Sequence, residues 1–313
     1  MNRVTRLGAV SYLNARPLVY GLETGTPVTL TQRRRDAEQS EPEAAGNSIT
    51  QRRKGAKQGE PENSGTQEPR NLGTDVSVRF DVPSVCARLL DEGAIDLGLV
   101  PSITYLDRPG DRIVPGVAIC SDGPVASVAL YARRPIRDIR TVALDTSSRT
   151  SVALTRILCA RQFKIEPVYV PHAPDLAAML MVSDAALLIG DPALCADYRP
   201  LGAEKIDLGE TWTNWTGLPF VWAFWAGPAD AADTGVVMRL QDARTAGVAH
   251  SDDVADTWAA GDTSRQSIAR RYLRENIRYG LDARALEGLR AYFREAVALG
   301  IAPRDRALQF FEQ

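Results

Sequence analysis

Hydrophobic and polar positions change their period many times along the chain. Short apolar runs of strand length at Arg6 to Val10, Val76 to Phe80 and Ile95 to Val100 alternate with segments in which apolar residues return every three or four positions. Val82 to Glu92 is of the second kind, with Val85, Leu89 and Leu90 on one face and Gly93 as its stop. Pro17 suits the first turn of a helix that follows the first strand. Beyond residue 125, strands are expected at Ser127 to Tyr131, Thr141 to Ala143, Pro167 to Val170, Ala185 to Ile189 and Val221 to Trp225. Helices are expected at Thr150 to Gln162, at Asp175 to Met181 and from about Thr234 onward. Uninterrupted apolar strands are those of parallel sheets covered on both faces, and their alternation with helices predicts an α/β fold. There are too many elements for one doubly wound sheet. Two α/β lobes facing each other across a cleft account for them, with the chain crossing near residues 115–125 and again near 220–228. Ligands in such folds sit at the carboxyl ends of the strands.

One stretch has neither period. Residues 31–75 hold one Ile, one Leu, no Val and no aromatic residue, against eight basic and eight acidic side chains. Such a composition cannot bury enough apolar surface to offset its ordering entropy. Thr31-Gln32-Arg33-Arg34 returns as Thr50-Gln51-Arg52-Arg53, and Glu41-Pro42-Glu43 as Glu60-Pro61-Glu62, both at a spacing of 19. The segment reads as a duplicated, disordered surface insertion, or else as a charged arm for a partner. The expected organisation is a first lobe over 1–118 that contains this insertion, a second lobe over 119–223, and a return to the first lobe with C-terminal helices over 224–313.

Composition narrows the function. The 313 residues carry a net charge of -2 and 24% charged side chains, which gives no electrostatic case for nucleic acid or for an anionic membrane. Cys86, Cys120, Cys159 and Cys195 stand too far apart for metal-ligand or redox spacing, so a reduced setting is expected. The opening residues lack the apolar stretch of a secretory signal, and the longest uncharged run, Thr211 to Ala229, is too polar for a membrane span. A cytoplasmic location follows as an expectation. His172 and His250 have no Glu or Cys at ligand spacing, and no Gly-rich nucleotide loop or Gly-x-Ser-x-Gly is present. A metal site is therefore not expected.

Polar clusters fall where strands end. Ser11-Tyr12-Leu13-Asn14 follows the first strand; the Asn14 amide either caps the next helix or faces the cleft and bonds a substrate oxygen. Asp145-Thr146-Ser147-Ser148-Arg149-Thr150-Ser151 precedes a periodic helix, and its hydroxyls and free N–H groups would cradle a carboxylate at Ser147, Ser148 and Thr150. Asp81-Val82-Pro83-Ser84 reads as a simple cap. Asp122-Gly123-Pro124 is a turn at the lobe crossing, after which Ser127 can reach the cleft. Asp191, after Gly190, is a cap of its own helix or a polar wall of the site. Trp212, Trp215, Trp222 and Trp225 are mostly core.

Several of these blocks together resemble the chorismate dehydratase family of the futalosine route to menaquinone. The likeness runs from Val10-Ser11-Tyr12-Leu13-Asn14-Ala15-Arg16-Pro17-Leu18 through Asp96-Leu97-Gly98-Leu99-Val100-Pro101-Ser102-Ile103, Asp122-Gly123-Pro124-Val125 and Ser148-Arg149-Thr150-Ser151-Val152. It continues in Ile189-Gly190-Asp191 and Trp215-Thr216-Gly217-Leu218-Pro219-Phe220-Val221, and ends at Arg278-Tyr279-Gly280-Leu281. Only the 31–75 insertion departs from it. The resemblance implies an α/β, two-lobed periplasmic-binding-protein-like (type II) fold with a central cleft, no cofactor, no metal and chorismate as the small-molecule partner. A homodimer is compatible with it. It implies a lyase that removes water from chorismate, with Asn14 at the reacting part of the substrate. Ser11, Ser102, Ser127, Ser147, Ser148, Thr150 and Asp191 are its implied substrate-binding residues. The related 1,4-dihydroxy-6-naphthoate synthase of the same route is the nearest alternative enzyme, but its pattern places a histidine where Ile189-Gly190-Asp191 stands here. A solute-binding protein that never turns its ligand over is the alternative outside enzymes.

The insertion yields the first test. Closing a long surface loop costs only about 0.6 kcal/mol per doubling of its length. Replacing residues 31–75 by a short Gly-Ser turn is therefore expected to leave soluble yield and melting temperature nearly unchanged. Loss of soluble protein would make the segment structural.

Overall fold

The computed structural model describes residues 4–22 and 76–312; the 31–75 insertion lies outside the described residues. Two five-stranded sheets organise the chain. The first contains β1 (Thr5–Val10), β2 (Val76–Asp81), β3 (Leu97–Pro101), β4 (Asp111–Ser121) and β10 (Phe220–Pro228), in the order β2-β1-β3-β10-β4. The second contains β5 (Val128–Ala132), β6 (Thr141–Asp145), β7 (Val168–His172), β8 (Ala185–Ile189) and β9 (Glu204–Asp207), in the order β7-β6-β8-β5-β9.

The two sheets share one plan. In each, three strands run parallel (β2, β1, β3 and β7, β6, β8), and the strand by which the chain enters the lobe after a crossing runs antiparallel to both its neighbours. The sheets are thus mixed rather than parallel throughout. A strand fed from the crossing side enters the sheet from the end at which the parallel strands leave it. β3, β5 and β8 are buried along their whole length, as their unbroken apolar runs require.

The chain leaves the first sheet after Ser121 and returns to it at Phe220. The outgoing segment is tightly held. Gly123 (φ +104°) and Ala126 (φ +61°) take left-handed backbone, which is costly for an alanine. The Asp207 carboxylate accepts from the N–H groups of Val125 (3.0 Å) and Ala126 (2.6 Å), and Lys205 Nζ donates to the Ala126 carbonyl at 2.6 Å. Arg284 donates to Asp122 Oδ2 (2.9 Å) and to the Gly217 carbonyl (2.7 Å), so one guanidinium binds the outgoing and the returning segment.

Helices cover both sheets: α1 (Pro83–Asp91), α2 (Arg149–Leu158), α3 (Leu176–Val182), α4 (Gly190–Leu194) and α5 (Leu208–Thr216), then α6 (Thr234–Ala249), α7 (Ser251–Ala259), α8 (Thr263–Arg271) and α9 (Ala283–Ala298). Several differ from the sequence reading. The helix after β1 is a 3-10 helix over Leu13–Val19, with Pro17 inside it rather than in its first turn. Asp81 does not cap α1, whose N-cap Val82 uses no side chain; Asp81 instead pairs with Arg79. β4 was not anticipated because the lobe crossing was expected near residues 115–125, and Pro115-Gly116 falls at the start of that range. It lies within the strand, where residues between Ile113 and Ala118 bulge away from the β10 register and Gly116 takes φ +74°. α5 was also unforeseen, although Asp207 followed by Glu210 is a capping pattern and the Asp207 side chain does accept from Glu210 N–H. The tryptophans behave as expected: Trp212, Trp222 and Trp225 are buried and Trp215 packs against them.

α6 seats the 3-10 helix. A Cβ at Gly247 would stand 2.0 Å from the Pro17 carbonyl oxygen, a backbone atom that cannot swing aside. Gly247→Ala is expected to force the two helices apart and to cost about 1–3 kcal/mol, the usual range for overpacking. Gly280→Ala, with open space around it, is expected to stay within about 0.5 kcal/mol. Urea unfolding of both variants checks the contrast.

Candidate active site

The carboxyl ends of β1, β3, β6 and β8 converge on the seam between the lobes. β1 leads through Ser11 and Tyr12 into the 3-10 helix that carries Asn14. β6 ends in Asp145 and feeds the N-terminus of α2, and β8 feeds Gly190 and Asp191. Hydrogen bonds sew the two sides together. Tyr12 OH donates to Ser147 Oγ (3.3 Å), and Ser84 N–H to the Ser147 carbonyl (2.9 Å). Leu13 N–H donates to Asp191 Oδ1 (2.9 Å), and the Ser127 and Tyr272 hydroxyls lie 2.7 Å apart. Gly190 has φ +67°, and a Cβ there would lie 2.6 Å from the Tyr12 ring, so the close approach needs glycine.

Asp191 occupies the middle of this seam. It does not cap its own helix, whose N-cap Ile189 uses no side chain. Its carboxylate instead accepts from Leu13 N–H at the start of the other lobe's 3-10 helix and from Trp258 Nε1 (2.8 Å) on α7. Burial raises its pKa, opposed by those two hydrogen bonds and by the positive charges of Arg16 and Arg265. Burial likewise raises Asp145, whose Oδ1 accepts from the N–H (2.9 Å) and hydroxyl (2.5 Å) of Ser147.

Asn14 lies beside the Tyr272 phenol, and its side-chain oxygen is buried without a partner. Burial drives Tyr272 up from its ordinary value, so this phenol stays neutral and serves as donor and acceptor rather than as a base.

The structure thus brings Asn14, Ser127, Ser147 and Asp191 to one seam, with Ser11 at its edge next to Tyr12. The three hydroxyls expected to cradle a carboxylate all have protein partners. Ser147 Oγ bonds Asp145 and Tyr12. Ser148 Oγ caps α2 by accepting from Ser151 N–H (3.4 Å) and the Ser151 hydroxyl (3.1 Å). Thr150 Oγ1 accepts from Ile103 N–H (3.2 Å) and lies 3.4 Å from Ser102 Oγ, which donates to the Val221 carbonyl (2.8 Å). Trp258 and Tyr272 were not singled out in the sequence, and Tyr12 was named there only within its polar cluster. Isolated aromatics such as Trp258 and Tyr272 carry no local signal that separates a site residue from core. Outside the seam, a groove of about 400 Å³ opens along its rim between Ser84, Asp145, Ser147 and His172. Among the described residues no group of His, Cys, Asp or Glu is placed to hold a metal ion, and no helix is long and apolar enough to cross a membrane.

A family model described as menaquinone biosynthesis matches residues 5–298. The chain belongs to that family. A chorismate dehydratase of Thermus thermophilus is 32% identical over 240 residues, which cover 71% of this chain and 87% of that relative. Among solved structures, a protein of Archaeoglobus fulgidus superposes with a TM-score of 0.65 at 15% identity, covering 95% of this chain and 97% of that one. The periplasmic aliphatic sulphonate binding protein SsuA of Escherichia coli gives 0.57 at 17% identity, covering 97% and 95%. The fold of this family member is therefore the two-lobed periplasmic-binding-protein fold that the resemblance implied.

The raised pKa of Asp191 gives a test with a definite sign. A carboxyl whose folded-state pKa lies above its unfolded value contributes stability that is complete below about pH 4 and is lost as pH rises through the raised value. Asp191→Asn removes that dependence. The stability of the unsubstituted protein relative to the variant is expected to fall as pH rises from about 4 to 7, read from denaturant midpoints. A constant difference would contradict it.

Proposed function

We propose that this protein is a chorismate dehydratase, a carbon–oxygen lyase that removes water from chorismate to give 3-[(1-carboxyvinyl)oxy]benzoate for menaquinone biosynthesis. The observation that carries the proposal is the 32% identity to the Thermus thermophilus chorismate dehydratase over 87% of that enzyme. The seam supports it chemically, because it places a carboxamide, hydroxyls and neutral phenols where the lobes meet.

The reaction is redox-neutral. One ring C–H bond and the neighbouring C–O bond break, a ring double bond forms, and the proton and hydroxide leave as water. Aromatisation supplies the driving force, so the protein's task is orientation and charge placement. Tyr272, held neutral, is no base, and Asp191 and Asp145 are occupied by hydrogen bonds. The base in this proposal is a carboxylate of the substrate itself. Asn14 contacts the departing hydroxyl: its free carbonyl oxygen accepts the O–H of the bound substrate, and its NH2 group donates to the oxygen as the C–O bond lengthens. The Ser127–Tyr272 pair fixes the neighbouring wall. The naphthoate synthase alternative needs a histidine in the 189–191 stretch, and the packing of Gly190 against Tyr12 leaves no room for a side chain at that glycine. A cytoplasmic location goes with this reading.

Incubation with chorismate, followed by product absorbance or mass, tests the proposal. Turnover is expected, and binding without conversion would favour a solute receptor. Asn14→Ala and Asn14→Asp are each expected to lower kcat about 10²–10³-fold, the usual cost of removing one group that stabilises developing charge. Undiminished turnover in Asn14→Asp would remove the amide from the mechanism.

A further inference from the structure

The 3-10 helix that carries Asn14 carries an arginine two residues later, about 4 Å further along its axis. Asn14 and Arg16 are both half-buried and alternate with the buried Leu13, Ala15 and Pro17. Each hides one polar atom without a partner, Asn14 Oδ1 and Arg16 Nε. Among the described residues none accepts a hydrogen bond from the Arg16 guanidinium or forms an ion pair with it. A guanidinium is a permanent ion, and hiding part of it unpaired is costly. A protein carboxylate stands close by. Asp191 Oδ1 accepts from Leu13 N–H, one 3-10 turn before Arg16, and the Arg16 charge reaches that carboxylate. Yet Asp191 is committed to Leu13 and to Trp258 Nε1 instead. Arg265, the other cation whose field reaches Asp191, lies over the Trp258 ring at 4.2 Å. The helix is seated from behind, where the Pro17 carbonyl abuts Gly247 of α6, so the root of the Arg16 side chain is fixed.

We propose that Arg16 anchors one carboxylate of the substrate, next to the hydroxyl that Asn14 contacts. The proposal rests on the dehydratase reading above. Nε is one of the two donors along the guanidinium edge that can grip a carboxylate through two parallel hydrogen bonds. The two orphan atoms are complementary, since Asn14 Oδ1 accepts and Arg16 Nε donates. A molecule with a hydroxyl and carboxylates uses both. Chorismate brings two negative charges to a seam that already holds the carboxyls of Asp145 and Asp191, so a cation on the site's own helix has work to do. The ion pair also divides the labour between the two substrate carboxylates. A guanidinium lowers the proton affinity of the carboxylate it holds. The carboxylate at Arg16 is therefore the anchor, and the other one takes the ring proton.

The test uses Arg16→Gln, which removes the charge, and Arg16→Lys, which keeps the charge and stem but loses the fork. With chorismate as substrate, KM is expected to rise about ten- to a hundredfold in Arg16→Gln, the usual loss of a hydrogen bond to a charged group, and less in Arg16→Lys. Binding of the product is then titrated beside two analogues of it, each lacking one of its carboxylates. Both variants are expected to weaken the product and the analogue that retains the anchored carboxylate. The analogue without that carboxylate should bind within twofold of its affinity for the unsubstituted protein. Equal weakening of all three ligands would overturn the anchor, because the arginine would then be shaping the site rather than pairing with one group. Conversion of chorismate with an unchanged KM in Arg16→Gln would overturn the anchor alone. Selective binding as expected, without conversion by the unsubstituted protein, would overturn the dehydratase reading and leave the anchor standing.

Discussion

The site depends on one carboxylate that belongs to the wrong lobe. Asp191 leaves the second sheet at the end of β8, yet its oxygens bond the first N–H of the 3-10 helix in the other lobe and an indole on α7. That helix has no side-chain cap of its own. A helix end without partners is costly to bury, so the orientation of Leu13–Val19, and of Asn14 within it, is set by contact with the opposite lobe. The same holds for Ser147, which is bonded from across the seam by both Tyr12 and Ser84. Neither lobe presents the proposed catalytic amide in this geometry by itself.

This arrangement accounts for the distribution of polar groups. Burial withdraws water from a polar group, and a buried charge or hydroxyl must then be matched. Asp145, Ser148 and Thr150 are matched by neighbours in their own turn or by backbone, and so form a rigid floor. Asn14 Oδ1 and Arg16 Nε, on the same 3-10 helix, are left for something else to match. Burial drives the carboxyls of Asp145 and Asp191 up, opposed at each by the hydrogen bonds it accepts, and holds the Tyr272 phenol neutral.

Much of the fold was legible because strands and helices differ in apolar period, and unbroken runs such as Leu97–Pro101 and Ala185–Ile189 admit few readings. The failures have physical causes. Pro115-Gly116 interrupts the apolar run of a bulged strand, and nothing local marks Leu13–Val19 as a 3-10 helix when its capping group comes from residue 191. The proposed site was legible where its residues stand at strand ends, as Asn14, Ser127 and Asp191 do. It was illegible where aromatics from the C-terminal segment, Trp258 and Tyr272, are brought in by packing alone. A hydroxyl-rich turn such as Thr146 to Ser151 invites a ligand in the sequence, and the structure shows how much of that polarity its own backbone consumes.

Arg284 fastens Asp122 on the outgoing segment and Gly217 on the returning one. Two strands of chain that connect the same pair of bodies permit twisting and sliding as well as opening, as long as each can adjust alone. A shared guanidinium removes that independence, because a shift at one segment drags the anchor of the other. What happens to one segment at Asp122 is thereby felt at Gly217 on the other, so the two connections between the sheets act as a single element.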